Sequence, residues 1–221
     1  FDRIPCDHTG RLNPADIPAM IKPNTRLLVM AHGSNVSGTV QDAVAVGAIC
    51  REHGIPFVLD AAQTAGHYPV DFKAMNLSAL SMPGHKGLMG PSGIGVLLLS
   101  HDFAQKLTPV ITGGTGSASD SEAQPNYMPD KFESGTPNVP GIYGLHAAVD
   151  FILSTGVDAM QQREQELTKR FLDGLREVKG IRLAGSWELE NRVGVFSVDF
   201  ETIDNAEAAY HLEQDYGILT R

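Results

Sequence analysis

The stretch Ser81-Met82-Pro83-Gly84-His85-Lys86-Gly87 holds the side chains of this sequence best placed to do chemistry. An amine stands there behind a short apolar run, with a histidine directly before it and glycines close on both sides. Upstream, a second apolar run, Phe57-Val58-Leu59, ends in Asp60 and is followed by Ala61-Ala62-Gln63. A primary amine can bond covalently to an aldehyde, and a carboxylate can keep a pyridine nitrogen protonated. An acid and a lysine, both buried at the ends of neighbouring strands, are what pyridoxal phosphate chemistry requires. The two segments raise that expectation.

Taken alone, Asp60 reads as a turn or helix-capping aspartate and Lys86 as a solvated loop lysine. Their joint placement, with Gln63 and His85 at short offsets, outweighs those readings. Gly84 and Gly87 let the backbone turn sharply and approach a ligand without a clashing Cβ. Gly90-Pro91-Ser92-Gly93 lacks the GxxxxGK[ST] pattern, so a nucleotide-phosphate loop is not supported. His53, His101, His146 and His211 have no ligand-like spacing, and no metal site is predicted.

Positioning these groups is the task of the elements between them. A short helix is predicted over 14–21. Residues 27–31 are continuously apolar, the pattern of a strand covered on both faces. The loop 32–39, which carries Asn35, follows. A helix is predicted over 40–53, ended by Gly54 and Pro56, and then the strand 57–60. A strand, helix, strand crossover makes the two strands parallel neighbours or near neighbours. Next come a short helix over 70–75 and strands over 77–82 and 94–99. Ligand sites in parallel sheets gather at the carboxyl ends of strands, so Asn35, Asp60 and Lys86 can meet in one crevice.

Residues 112–140 read as a long irregular loop, of a length that is usually functional or disordered. Beyond Pro140 the apolar spacing predicts two long amphipathic helices. A strand over 193–200 follows, then a helix that Asp204 and Glu207 would cap, running to about Gln214. The whole is an α/β chain with a boundary near residue 155.

Composition narrows the function class. A net charge of -9, from 17 basic and 26 acidic residues, argues against nucleic acid as a partner. No apolar run approaches the length of a membrane span, and the first residues lack a signal-peptide pattern. Cys6 and Cys50 form no CxxC pair and read as free thiols in a reducing compartment, so a cytoplasmic enzyme is expected.

Four blocks carry a family resemblance: Ser34-Asn35-Val36-Ser37-Gly38-Thr39, Leu59-Asp60-Ala61-Ala62-Gln63, Gly84-His85-Lys86, and Phe132-Glu133-Ser134-Gly135-Thr136-Pro137-Asn138. Their order and spacing resemble the class V aminotransferase family, and within it the cysteine desulfurase and selenocysteine lyase branch, along essentially the whole chain. The resemblance implies the fold type I of pyridoxal phosphate-dependent transferases, a mostly parallel sheet with flanking helices. Residues 1–155 would form part of the large domain. Residues 156–221 would form a linking helix and the start of a smaller α+β domain.

The same resemblance implies roles. Lys86 would bond to the cofactor aldehyde, and Asp60 would pair with the pyridine nitrogen. Gln63 would hydrogen-bond the phenolic oxygen, His85 would sit by the phosphate or ring, and Asn35 would face the cofactor oxygen and the substrate carboxylate. Thr136 would reach the phosphate in a neighbouring subunit, which implies a homodimer with composite sites. Arg221 would help hold the carboxylate of a small amino-acid substrate, and a sulfur-acceptor protein would be a further partner. Three departures stand out. Pro83 replaces a serine or threonine that donates to the phosphate. Neither Cys6 nor Cys50 matches the family's nucleophilic cysteine. The family's amino-terminal part, with its stacking aromatic residue and a phosphate-binding turn, has no counterpart here, so the chain is expected to be an internal piece. An aminotransferase using the same lysine, and an inert piece serving in assembly, are the alternatives.

Overall fold

The computed structural model describes residues 1–118 and 120–221. Four strands form the main sheet: β1 (Leu28–Ala31), β2 (Phe57–Asp60), β3 (Ala79–Pro83) and β4 (Gly95–Leu99), side by side in that order. β1, β2 and β3 run parallel, and β4 returns antiparallel to β3. In register, Ala31 lies beside Asp60 and Asp60 beside Ser81, so the carboxyl ends of three strands finish level.

Helix α1 (Ile17–Met20) and helix α2 (Ala43–Glu52) contribute to the core beneath this sheet. α2 starts where the Asp42 side chain accepts a hydrogen bond from the Ala45 amide at 2.9 Å. It buries Ala43, Val46, Gly47 and Cys50. Past its end, Gly54 takes the left-handed conformation at φ +64° that a helix stop favours. Phe57 and Leu59 are fully buried on the same side, alternating along β2 with partly covered Val58 and exposed Asp60.

The opposite face of the sheet departs from expectation. Residues 27–31 predict a strand covered on both faces, yet Val29 is 63% exposed. An apolar run shows that a second face can be covered, not that anything covers it. Asp60 shares the side of the sheet that Val29 occupies, because Ala31 and Asp60 pair in register and side chains alternate along a strand.

Two further local predictions are corrected, and two elements lie where none was predicted. Residues 70–75 form turns rather than a helix, because the Asp71 side chain accepts from the Lys73 and Ala74 amides at 2.8 and 2.9 Å. Helix α3 (His101–Lys106) was not anticipated. Only the last half of 193–200 is strand: β6 (Ser197–Phe200) pairs antiparallel with β5 (Ile181–Ala184), which the sequence did not betray.

Two long helices, α4 (Val139–Thr155) and α5 (Val157–Arg176), meet at Gly156, whose φ of +87° breaks the helical path. α6 (Asn205–Tyr216) begins at Asp204, which caps the Ala206 amide at 2.9 Å. Among the described residues, 107–138 contains no helix or strand, and buried Lys131 ties this stretch to α3 through a 2.8 Å hydrogen bond to the Ala104 carbonyl.

Candidate active site

Three loops leave the carboxyl ends of β1, β2 and β3. The first is drawn tight by Ser34, whose hydroxyl accepts from the Val36 and Ser37 amides, both at 3.1 Å. This leaves Asn35 exposed at its tip. Just before it, Gly33 rests on the second loop: a Cβ there would stand 3.0 Å from Thr64 Cγ2 and 3.2 Å from Gln63 Cβ. Asn35 and Gln63 therefore belong to abutting loops.

The second loop opens with Asp60, one of whose carboxylate oxygens accepts from the Ala62 amide at 2.9 Å. The third is closed by hydrogen bonds from Gly90 to the Gly84 carbonyl at 2.7 Å and from Met89 to the Lys86 carbonyl at 2.8 Å. His85 and Lys86 are exposed on it. These two loops touch backbone to backbone. A Cβ on Gly66 would fall 2.2 Å from the Gly87 carbonyl oxygen, and one on Gly87 would fall 2.3 Å from the Ala65 carbonyl oxygen. Glycine is needed at both positions for that approach. The acid and the lysine thus sit at one end of the sheet, on adjacent strands.

Their burial does not match. Both are expected buried, and both are exposed: Asp60 because the sheet face it occupies is open, and Lys86 on the loop beyond β3. Thr136 lies on a segment anchored at the same end: the neighbouring Asn138 donates to the Gly93 carbonyl at 3.3 Å, and Ile94 next to it receives the Gly84 amide. Thr136 itself is exposed and makes no described bond to the lysine loop. Arg221 is an exposed terminal residue beyond α6, and no described hydrogen bond or ion pair brings it to the cluster.

Do these residues suit pyridoxal phosphate? The amine is uncommitted among the described residues, and Asp60 has an oxygen to spare beyond the one that serves Ala62. A half-buried carboxamide, Gln63, and an imidazole, His85, flank them. That donor set fits the cofactor. Pro83 has no N–H, and the Gly84 amide is already given to Ile94, so the start of this loop offers little to a phosphate.

Two histidines that belong to no predicted site, His32 and His67, are largely covered. His32, directly after β1, is 2% exposed and shares a 2.9 Å hydrogen bond with the Thr64 hydroxyl, with the Tyr68 ring edge-on at 5.7 Å. Its only sequence signal is its place at a strand end. Burial pushes its pKa down from the usual 6.5 to about 4. The unfolded chain therefore binds a proton here that the folded chain refuses. His32 favours the folded state fully above pH 6.5, and this contribution is lost as the pH falls toward about 4. Urea titrations across that window should show His32→Gln losing up to roughly 3 kcal/mol less than the unsubstituted chain. Equal pH slopes would contradict this assignment. The second, His67, is taken up below.

The chain was compared with known proteins. The model of the family described as aminotransferase class-V matches residues 1–221. A probable cysteine desulfurase of Pyrococcus abyssi is 36% identical over 211 residues, covering 94% of this chain and 52% of that protein. A probable cysteine desulfurase of Methanothermobacter thermautotrophicus is 33% identical, covering 99% of this chain and 54% of that one. The apo structure of cysteine desulfurase from Thermococcus onnurineus NA1 superposes with a TM-score of 0.90 at 33% identity, covering all of this chain and 55% of that one. The chain spans about half the length of the relatives it matches. The family uses pyridoxal phosphate. With its four motif blocks, its sheet and its loops in agreement, this chain belongs to the class V aminotransferase family.

Proposed function

We propose that this chain carries the cofactor lysine and acid of a pyridoxal phosphate-dependent cysteine desulfurase. The reaction would take sulfur from cysteine, or selenium from selenocysteine, and leave alanine. The observation that carries the reading is the close contact of Gly66 with Gly87, which holds the Asp60 and Lys86 loops together. The names of the relatives support the choice of reaction within the family.

In this reading Lys86 Nζ would bond to the cofactor aldehyde, and the Asp60 carboxylate would keep the proton on the pyridine nitrogen. Gln63 would donate to the phenolic oxygen, Asn35 would face that oxygen and the substrate carboxylate, and His85 would stand by the phosphate or ring. Thr136 would donate to a phosphate across a homodimer interface, and Arg221 would help hold the substrate carboxylate. Bound there, pyridoxal phosphate supplies an electron sink for the negative charge that develops at the substrate Cα. The domain boundary falls at Gly156, between α4 and α5. A cytoplasmic setting with a sulfur-acceptor protein completes the proposal. No helix of the described residues is long and apolar enough to cross a membrane.

The sulfur step needs a thiolate, and this chain offers no suitable one. Cys50 is 1% exposed in the core, and burial pushes its thiol up to about 11. Cys6 lies outside the cluster, bridged to Leu12. The purified 221-residue chain, given pyridoxal phosphate and cysteine, should bind the cofactor weakly and release no sulfide. Steady sulfide release, measured by a colorimetric assay, would show that the nucleophile has been wrongly excluded.

A further inference from the structure

His67 and Glu164 are far apart in sequence but form a side-chain link between the loop end of the sheet and α5. Nδ1 of the ring lies 2.7 Å from a Glu164 oxygen, with the two side chains only 21% and 26% exposed. The other Glu164 oxygen accepts the Gly194 amide, also at 2.7 Å. Burial by itself raises the Glu164 carboxyl, but the hydrogen bonds from His67 and Gly194 outweigh it and hold the group below its ordinary range. A carboxylate there fixes the ring with its Nδ1 proton toward α5.

What the other edge of the ring touches makes this more than a tie. A Cβ on Gly87 would stand 2.4 Å from His67 Cδ2 and 2.9 Å from Nε2. The backbone directly after Lys86 therefore rests on the imidazole and on the Ala65 carbonyl. Beyond Gly194 the link continues to the Asn35 loop, where the Val193 amide donates to the Gly38 carbonyl at 2.8 Å.

We infer that His67 and Glu164 are a positioning pair, which sets the height of the Lys86 loop above the Asp60 strand end and couples it to α5. The inference rests on Lys86 being the cofactor lysine, as proposed above. His67 acts through the Gly87 backbone and touches no reacting atom.

The test uses the 221-residue chain with pyridoxal phosphate, borohydride trapping, and peptide mass spectrometry to read the label at each lysine. Exposed Lys73 and Lys106 serve as internal standards. In the unsubstituted chain Lys86 should trap faster than both. His67→Ala should lower the Lys86 rate about tenfold against those standards, and His67→Gln should restore most of it. Glu164→Gln keeps the shape of the pair and safeguards against a misfolded first variant. It should lower the rate severalfold, and the double variant His67→Ala with Glu164→Gln should be little worse than His67→Ala alone. A Lys86 rate unchanged in folded Glu164→Gln and folded His67→Ala would overturn the pairing while leaving the cofactor lysine intact. A Lys86 that never traps faster than Lys73 and Lys106 would overturn both.

Discussion

Replacing Lys86 by alanine should abolish the fast covalent capture of pyridoxal phosphate and the yellow colour it retains, leaving only the slow labelling of exposed lysines such as Lys73 and Lys106, with no loss of fold. Lys86 is exposed on a loop and makes no described hydrogen bond or ion pair, so its removal should change stability by no more than about 0.5 kcal/mol. Asp60→Ala should behave differently. The lysine still bonds the aldehyde, but the pyridine nitrogen loses its charged partner, and hydrogen bonds to charged groups contribute about 1.5–3 kcal/mol. Cofactor retention should fall by about ten- to a hundredfold. Asp60 also accepts the Ala62 amide, so this variant should cost a little stability at the loop as well. Absorbance titration and a thermal melt on the same samples separate the two effects. Equal retention in Lys86→Ala and the unsubstituted chain would remove the lysine from its assigned role.

The second large effect lies in the core. Gly47 is in the middle of α2, where alanine ordinarily gains about 1 kcal/mol over glycine. Here the sign should reverse. A Cβ at Gly47 would stand 1.9 Å from the Met75 carbonyl oxygen and 2.7 Å from its carbon. Both are backbone atoms of a turn whose Met75 and Leu77 side chains belong to the core, so no flexible side chain can move aside. Either α2 lifts from the sheet or the turn gives way. Gly47→Ala should cost several kcal/mol, roughly 4 or more. Gly174 in α5 has nothing within 4 Å of its would-be Cβ and provides the control. Gly174→Ala should be neutral or gain up to about 1 kcal/mol in urea melts. Both variants behaving alike would mean that α2 does not pack on 71–76 as described.

The parts of this molecule that could be read from its sequence are those whose causes are local. Gly54 and Pro56 mark the end of α2, and the strand 57–60 follows as a bare apolar run, so that crossover and its parallel pairing were legible; the predicted start lies three residues early, because the Asp42 cap was not read. Once the pairing is known, the convergence of Asn35, Asp60 and Lys86 follows from the rule that strand ends gather ligands. The contacts that close the site were not legible. Gly66 against Gly87, and Gly33 against Gln63, are close approaches between residues distant in sequence, which composition and spacing do not encode. The exposure of Asp60 was missed for a similar reason: an apolar strand states what it can bury, and Val29 finds nothing among the described residues to bury it. Residues 193–196 look like strand by composition, but Val193 is drawn to Gly38 and Gly194 to Glu164, which leaves only 197–200 for β6. His67 offered no signal at all, since its partners lie on α5 and on the lysine loop.

The most direct measurement is a crystal structure of this chain grown with pyridoxal phosphate in large excess, so that weak binding still fills the site. Continuous density from Lys86 Nζ to the ring, with the ring nitrogen within hydrogen-bonding distance of the Asp60 carboxylate, is the expected result. Density joined to another lysine, or a ring nitrogen turned away from Asp60, would contradict it.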